Sequence, residues 1–167
     1  MNHTVDVAIQ VPFHTSLKLK CLNDGDIKVD HVTGEVDAEN LNGAVKLLNI
    51  SGAVVAHSLN GDVVVTLDQA TPGKAMSFST MNGDVDVTFP ADVKARVKLK
   101  SDNGEVYSDF DVHAEATPNS PKMTETHGKD GHFRVQFDKV VYGSINGGGA
   151  EMQFTTFNGK IYLRAKK

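Results

Sequence analysis

The chain has 167 residues and a formal net charge of −4, long enough for one domain with a sizeable core and too acidic for a general nucleic-acid binder. No run approaches the roughly 18 consecutive apolar residues that cross a bilayer, and the opening MNHTVDVAIQVPF lacks the basic and apolar blocks of a signal peptide. A single cysteine excludes an internal disulfide and a cysteine-based zinc site, while 15 Gly against eight Phe, three Tyr and no Trp suit thin layers.

In chain order, Val5–Val11 and Leu17–Leu22 read first as two strands that cap an open end. Cys21, between Lys20 and Leu22, reads as a buried structural thiol. From residue 23 the sequence repeats: NDGDIKV, VTGEVDA, LNGAVKL, ISGAVVA and LNGDVVV follow one another, with Gly25, Gly34, Gly43, Gly52 and Gly61 nine residues apart every time. The unit returns as MNGDVDV at 81–87, DNGEVYS at 102–108, INGGGAE at 145–151 and FNGKIYL at 157–163. Relative to each glycine, apolar residues recur at −2 (Val32, Leu41, Ile50, Leu59, Met81, Ile145, Phe157), +2 (Ile27, Val36, Val45, Val54, Val63, Val85) and +4. Even offsets place all three on one face of a strand, with the odd positions toward water.

Asn-Gly marks the corner in six units, at Asn42, Asn60, Asn82, Asn103, Asn146 and Asn158. Both residues tolerate positive φ, so the corner reads as a sharp left-handed turn. Such corners serve a type I′ hairpin meander or a solenoid. The constant polarity of the unit favours a solenoid whose coil holds two units, 18 residues. Between the later glycines the second corner falls at Thr71-Pro72-Gly73-Lys74 and at Phe89-Pro90-Ala91-Asp92. Lys94, Arg96, Lys98 and Lys100 then alternate along one strand and read as lysines guarding a sheet edge, rather than as a site for anionic glycans or headgroups.

Residues 111–139, DVHAEATPNSPKMTETHGKDGHFRVQFDK, break the pattern and read as a loop insertion with one strand at His132–Phe137. The whole reads as one domain, 1–167: caps over 1–22, regular repeats over 23–110, the insertion over 111–139 and C-terminal repeats over 140–167. The fold class is all-β, a short β-solenoid or β-roll, with an antiparallel meander sandwich as the alternative.

The glycine-aligned units, Pro90-Ala91-Asp92-Val93, Ser101-Asp102-Asn103-Gly104-Glu105-Val106 and Gly147-Gly148-Gly149 with Phe157-Asn158-Gly159-Lys160-Ile161 resemble a bacterial β-strand-repeat family of adhesins of unknown function, related to toast-rack domains. The resemblance covers roughly 17–165 and rests on structural positions. It implies a solenoid-like domain of the cell envelope or surface without a catalytic site.

The chemistry-bearing residues agree with that. Asp26, Asp62 and Asp84 follow glycines as in calcium-binding nonapeptide rolls, but the intervening units carry Ala44 and Ala53, so they read as turn carboxylates. His113, His127 and His132 match no metal-site spacing and read as solvated loop histidines. There is no Gly-x-Ser-x-Gly elbow and no phosphate loop leading into a helix. The expectation is a non-enzymatic surface module with no cofactor and no catalytic or metal-binding residue, whose partner is a protein or glycan. The alternative is a scaffold that self-associates through its solenoid ends.

Overall fold

The computed structural model describes residues 5–115, 124–127, 133–136 and 140–167. Strand β1 (Leu17–Cys21) and β2 (Ile27–Asp30) make the first coil, β3 (Val36–Asn40) and β4 (Val45–Gly52) the second. The third is β5 (Val54–Ser58) with β6 (Val63–Ala70), and the fourth β7 (Met76–Asn82) with β8 (Val85–Phe89). There follow β9 (Ala95–Ser101), β10 (Val106–Ser108), β11 (His113–Ala114), β12 (Thr124–His127), β13 (Phe133–Gln136), β14 (Val140–Ile145), β15 (Ala150–Asn158) and β16 (Ile161–Ala165).

Each coil gives one strand to each of two facing sheets, ordered β1-β3-β5-β7-β15-β9-β14-β11 and β2-β4-β6-β8-β16-β10-β13-β12. Equivalent residues one coil apart pair in parallel, Val36 with Val54 and Val45 with Val63, so the 18-residue coil is the true period. The fold is therefore the expected solenoid, and the meander is excluded. Among the described residues antiparallel pairing is confined to the far end, where β14 joins β9 and β11 while β13 joins β10 and β12. The core lies between the sheets. Phe78 stacks on Phe154 at 5.1 Å, and Phe89 meets both edge-on at 6.2 and 6.1 Å; burying each such ring contributes about 1.5–3 kcal/mol.

The two corners of the coil are not equivalent. At the Asn-Gly corner no asparagine or glycine from Asn42 to Gly104, nor Asn158 or Gly159, has the positive φ expected of it. The glycine is required by proximity instead. A Cβ on Gly43, Gly61 or Gly83 would overlap the carbonyl oxygen of Gly25, Gly43 or Gly61, the glycine of the neighbouring coil. At the opposite corner the left-handed residues are His31 (φ 55°) and Asn49 (φ 54°), which the glycine alignment did not single out. Each inserts one extra residue into the alternation, so Val32 and Ile50 at offset −2 return to the core. Leu41, Leu59, Met81 and Phe157 at the same offset have no such kink before them, and they face outward, contrary to the even-offset reading.

Other expectations shift at the ends. The strand read at Leu17–Leu22 is present as Leu17–Cys21, but 5–16 carries none, so Val5–Val11 is not a capping strand. The insertion contains β11, β12 and β13, the last matching the strand read near 132–137; the remainder of 116–139 lies outside the described residues. The C-terminal repeat does not add to the end of the stack. It slots between the fourth coil and β9–β10, with β15 pairing β7 on one side and β9 on the other. To reach that place the chain crosses over residues 91–94. Asn146 (φ 49°), Gly147 (φ 85°) and Gly148 (φ 84°) turn left-handed in succession, and Asn146 Nδ2 donates to Ala91 O and Val93 O at 3.3 and 2.8 Å. Here the expected left-handed Asn-Gly does occur.

Candidate interaction surface

Three columns of side chains run along the Asn-Gly corner, one rung per coil. The innermost is the residue three before each glycine: Asn40, Ser58, Thr80, Thr156 and Ser101, all buried. Each donates to a glycine carbonyl of the next coil: Asn40 to Gly25 O (2.8 Å), Ser58 to Gly43 O (2.8 Å), Thr80 to Gly61 O (2.7 Å), Thr156 to Gly83 O (3.0 Å) and Ser101 to Gly159 O (3.1 Å). Burial of a hydroxyl is tolerated because it is bonded, and the carbonyls at the turn gain the partner they would otherwise lack.

The middle column is an asparagine ladder. Asn60 Nδ2 donates to Asn42 Oδ1, Asn82 to Asn60, Asn158 to Asn82 and Asn103 to Asn158, at 2.8–3.0 Å. Every interior amide thus gives and receives one bond. The aspartates after the glycines extend the same logic: Asp26 Oδ1 accepts from Ala44 N at 2.9 Å, Asp62 from Asp84 N at 2.9 Å and Asp84 from Lys160 N at 2.8 Å. The Ala44 N–H, joined by the Lys46 ammonium at 3.2 Å, holds the Asp26 carboxyl below its ordinary pKa. These carboxylates bind the next coil's backbone.

The outer column is apolar. Leu22, Leu41, Leu59, Met81 and Phe157 follow residues that pair in register (Cys21–Asn40–Ser58–Thr80–Thr156), so the five side chains stand in line on adjacent strands. All but the half-buried Leu59 are 40–57 % exposed. At the strand spacing of about 4.8 Å this ridge is roughly 20 Å long. It ends at Asp102, which follows Ser101 of β9 as Phe157 follows its register partner Thr156.

Among the described residues, the others singled out in the sequence do not converge. His113 is exposed on β11, His132 lies outside the described residues, and among the described residues no three His, Cys, Asp or Glu side chains meet as a metal site would need. Cys21 is half-buried on the outermost strand rather than fully enclosed, with Sγ 3.2 Å from Asn23 O. The basic stripe lies on β9, an interior strand, so it guards no edge. Lys98 sits over the Tyr142 ring at 5.7 Å, Lys100 pairs with Asp102 at 3.7 Å, and Arg96 adjoins Glu151. A cavity of about 710 Å³ opens at the opposite corner among Pro72, Pro90, Asp92, Lys94 and Gly149. It gathers the carboxylates of Asp68 and Asp92, the Thr71 hydroxyl and the Lys94 ammonium, and its Asp68 is held by Lys166.

The buried hydroxyl column was legible as a recurring Ser, Thr or Asn two positions before each Asn-Gly asparagine, and the ridge as the apolar residue between them. The even-odd reading assigned both to the wrong side. No helix of the described residues is long and apolar enough to cross a membrane. Comparison with curated proteins and with solved structures finds no match. The family described as Toastrack DUF4097, a domain of unknown function, matches residues 14–137, which span β1 to β13 and leave out the inserted coil. The chain belongs to the Toastrack DUF4097 family.

Proposed function

We propose that the chain is a non-enzymatic interaction module of the cell envelope, and that its recognising surface is the ridge of Leu22, Leu41, Leu59, Met81 and Phe157. The observation that carries this reading is the line of apolar side chains on a rigid, bonded corner, where solvation is unfavourable and preorganisation complete. The chemistry of the corner favours a protein partner over a glycan. Sugar hydroxyls need free donors and acceptors, and the amides beside the ridge are already bonded to one another. An apolar stripe on a protein needs only the ridge. Envelope location is the expectation carried over from the family resemblance.

Fractionation of cells making the full-length protein, with protease added to intact cells, tests the location: cleavage from outside supports surface display, and recovery in the cytosol sinks it. Beads coated with the protein test the ridge. Leu41→Asp with Met81→Asp, both at exposed positions, should cut adhesion to intact cells at least about tenfold without lowering the melting temperature. Undiminished adhesion would remove the ridge from consideration.

A further inference from the structure

The two ends of the stack are finished differently. At the far end β9 and β10 are covered by antiparallel β14 and β13, with β11 and β12 outside them. At the near end β1 and β2 are the last strands of their sheets among the described residues. What lies over that end is residues 5–16, tied down where Thr33 N and Thr33 Oγ1 both donate to Phe13 O at 2.7 and 3.0 Å. VDVAIQVPF alternates apolar with other residues over nine positions, a strand pattern, yet it pairs with nothing. Val5, Val7, Ile9 and Phe13 are 69–77 % exposed. Beneath the segment, Val7, Ile9 and Val11 line a cavity of about 330 Å³ together with Leu17, Leu19 and Ile27. Strand-forming chain with open backbone groups and apolar side chains in water is a template for another strand.

We infer that this segment pairs with the same segment of a second copy, joining two solenoids near end to near end about a two-fold axis at Ile9. The segment is its own complement. In an antiparallel pair centred on Ile9, Ile9 faces Ile9, Val7 faces Val11, and Val5 packs against Phe13. With Ile9 in a hydrogen-bonded pair, Pro12 falls at a non-bonded position, where its missing N–H is not needed. Phe13 O stays with Thr33, so backbone pairing spans Val7 to Val11. Eight exposed side chains at roughly 100 Å² apiece, before backbone and flanks are added, approach the about 1,000 Å² of a specific interface. Because the far end is already covered, the assembly closes at two copies and does not propagate.

Sedimentation equilibrium on the full-length chain at about 100 μM tests this in the micromolar affinity range. The expected result is a dimer that Val7→Asp with Ile9→Asp converts to a monomer of unchanged circular dichroism. In a Cys21→Ser background, Ile9→Cys should cross-link on oxidation, since Cα atoms of a hydrogen-bonded pair lie about 5.5 Å apart, within disulfide reach. Ala8→Cys should not. A monomer at that concentration overturns the inference. So does a dimer that survives Val7→Asp with Ile9→Asp, or a series of larger oligomers. Met81→Asp leaves this dimer intact, which separates its fate from that of the ridge.

Discussion

The first four coils and the last two obey the same stacking rules but were assembled by different routes. From β1 to β8 each coil rests on the one made just before it, 18 or 19 residues earlier where the second and third coils begin their strands. Beyond β8 the order breaks: β9 and β10 stand one place away, and the place between is filled by residues 150–165 from the end of the chain. Yet the two hydrogen-bonded columns pass through this join. Asn158 takes its rung between Asn82 and Asn103, Thr156 bonds Gly83 O, Ser101 bonds Gly159 O, and Tyr162 stacks on Tyr107 at 5.2 Å. What a rung needs is chemical, a small residue with the right neighbours, and sequence distance enters only through the entropy of closing the loop.

The comparison breaks most sharply at the glycines. Gly61→Val and Gly159→Val each drive a side chain into a neighbouring carbonyl, Gly43 O and Gly83 O, and should each cost about 4 kcal/mol or more. Native-state hydrogen exchange distinguishes them. Gly61→Val should lose protection throughout, whereas Gly159→Val should lose it in β15, β16 and β9 while β3 and β5 keep theirs. Uniform loss in both would mean that the join is as cooperative as the rest.

Next in size is Phe154→Ala. It removes the ring that the inserted coil contributes to the Phe78–Phe89 cluster, and chemical denaturation should register about 3–5 kcal/mol. A loss under 1 kcal/mol would show that the cluster can collapse around the gap. Thr80→Val and Thr156→Val are near-isosteric and delete one hydroxyl bond in the ordered and inserted parts respectively. Both should cost about 1 kcal/mol, and equal values would show that the two routes end in equally good bonds.

The smallest effect is electrostatic. Asp26 has a folded-state pKa held down by Ala44 N–H and Lys46, against about 3.9 in the unfolded chain. Its contribution is therefore complete above that value and disappears as pH falls through the folded one. On this exposed carboxylate, solvent screening limits it to a few tenths of a kcal/mol, about the size of an exposed ion pair. Asp26→Asn should flatten the acid limb of a stability–pH profile below about pH 4 and leave neutral stability almost unchanged.

How much of this the chain announces depends on how far each rule reaches. Glycine spacing shows the coil directly, because stacking repeats a local geometry every 18 residues and any repeat must carry it. The facing of individual residues was half legible. Offsets +2 and +4 point inward throughout the early coils, but a corner resets the alternation, and only a φ near 55° at His31 and Asn49 decides whether Val32 and Leu41 end on the same side. A one-residue change of parity leaves no compositional trace. The insertion was not legible at all. FNGKIYL looks like one more unit, and nothing in it says which two coils it will part. The ridge could have been found from the −3 column, since a buried Ser or Thr forces its neighbour outward, but polar residues are read by habit as facing water.

The inserted coil also has a consequence for synthesis. A solenoid stacked in chain order can mature as it leaves the ribosome, each coil settling on a finished neighbour. Here the first four coils can do so, but β9 and β10 emerge with their intended neighbour still untranslated. Until residues 150–165 appear, β7 and β8 on one side and β9 and β10 on the other hold open edges toward the same empty place. The nascent chain must keep that slot from closing on itself until the last coil has passed over residues 91–94. Maturation of the stack from β1 to β14 thus waits on residues 150–165, so a ribosome that stalls after β14 leaves a chain in which every coil but the inserted one is present and whose sheets are still in two pieces.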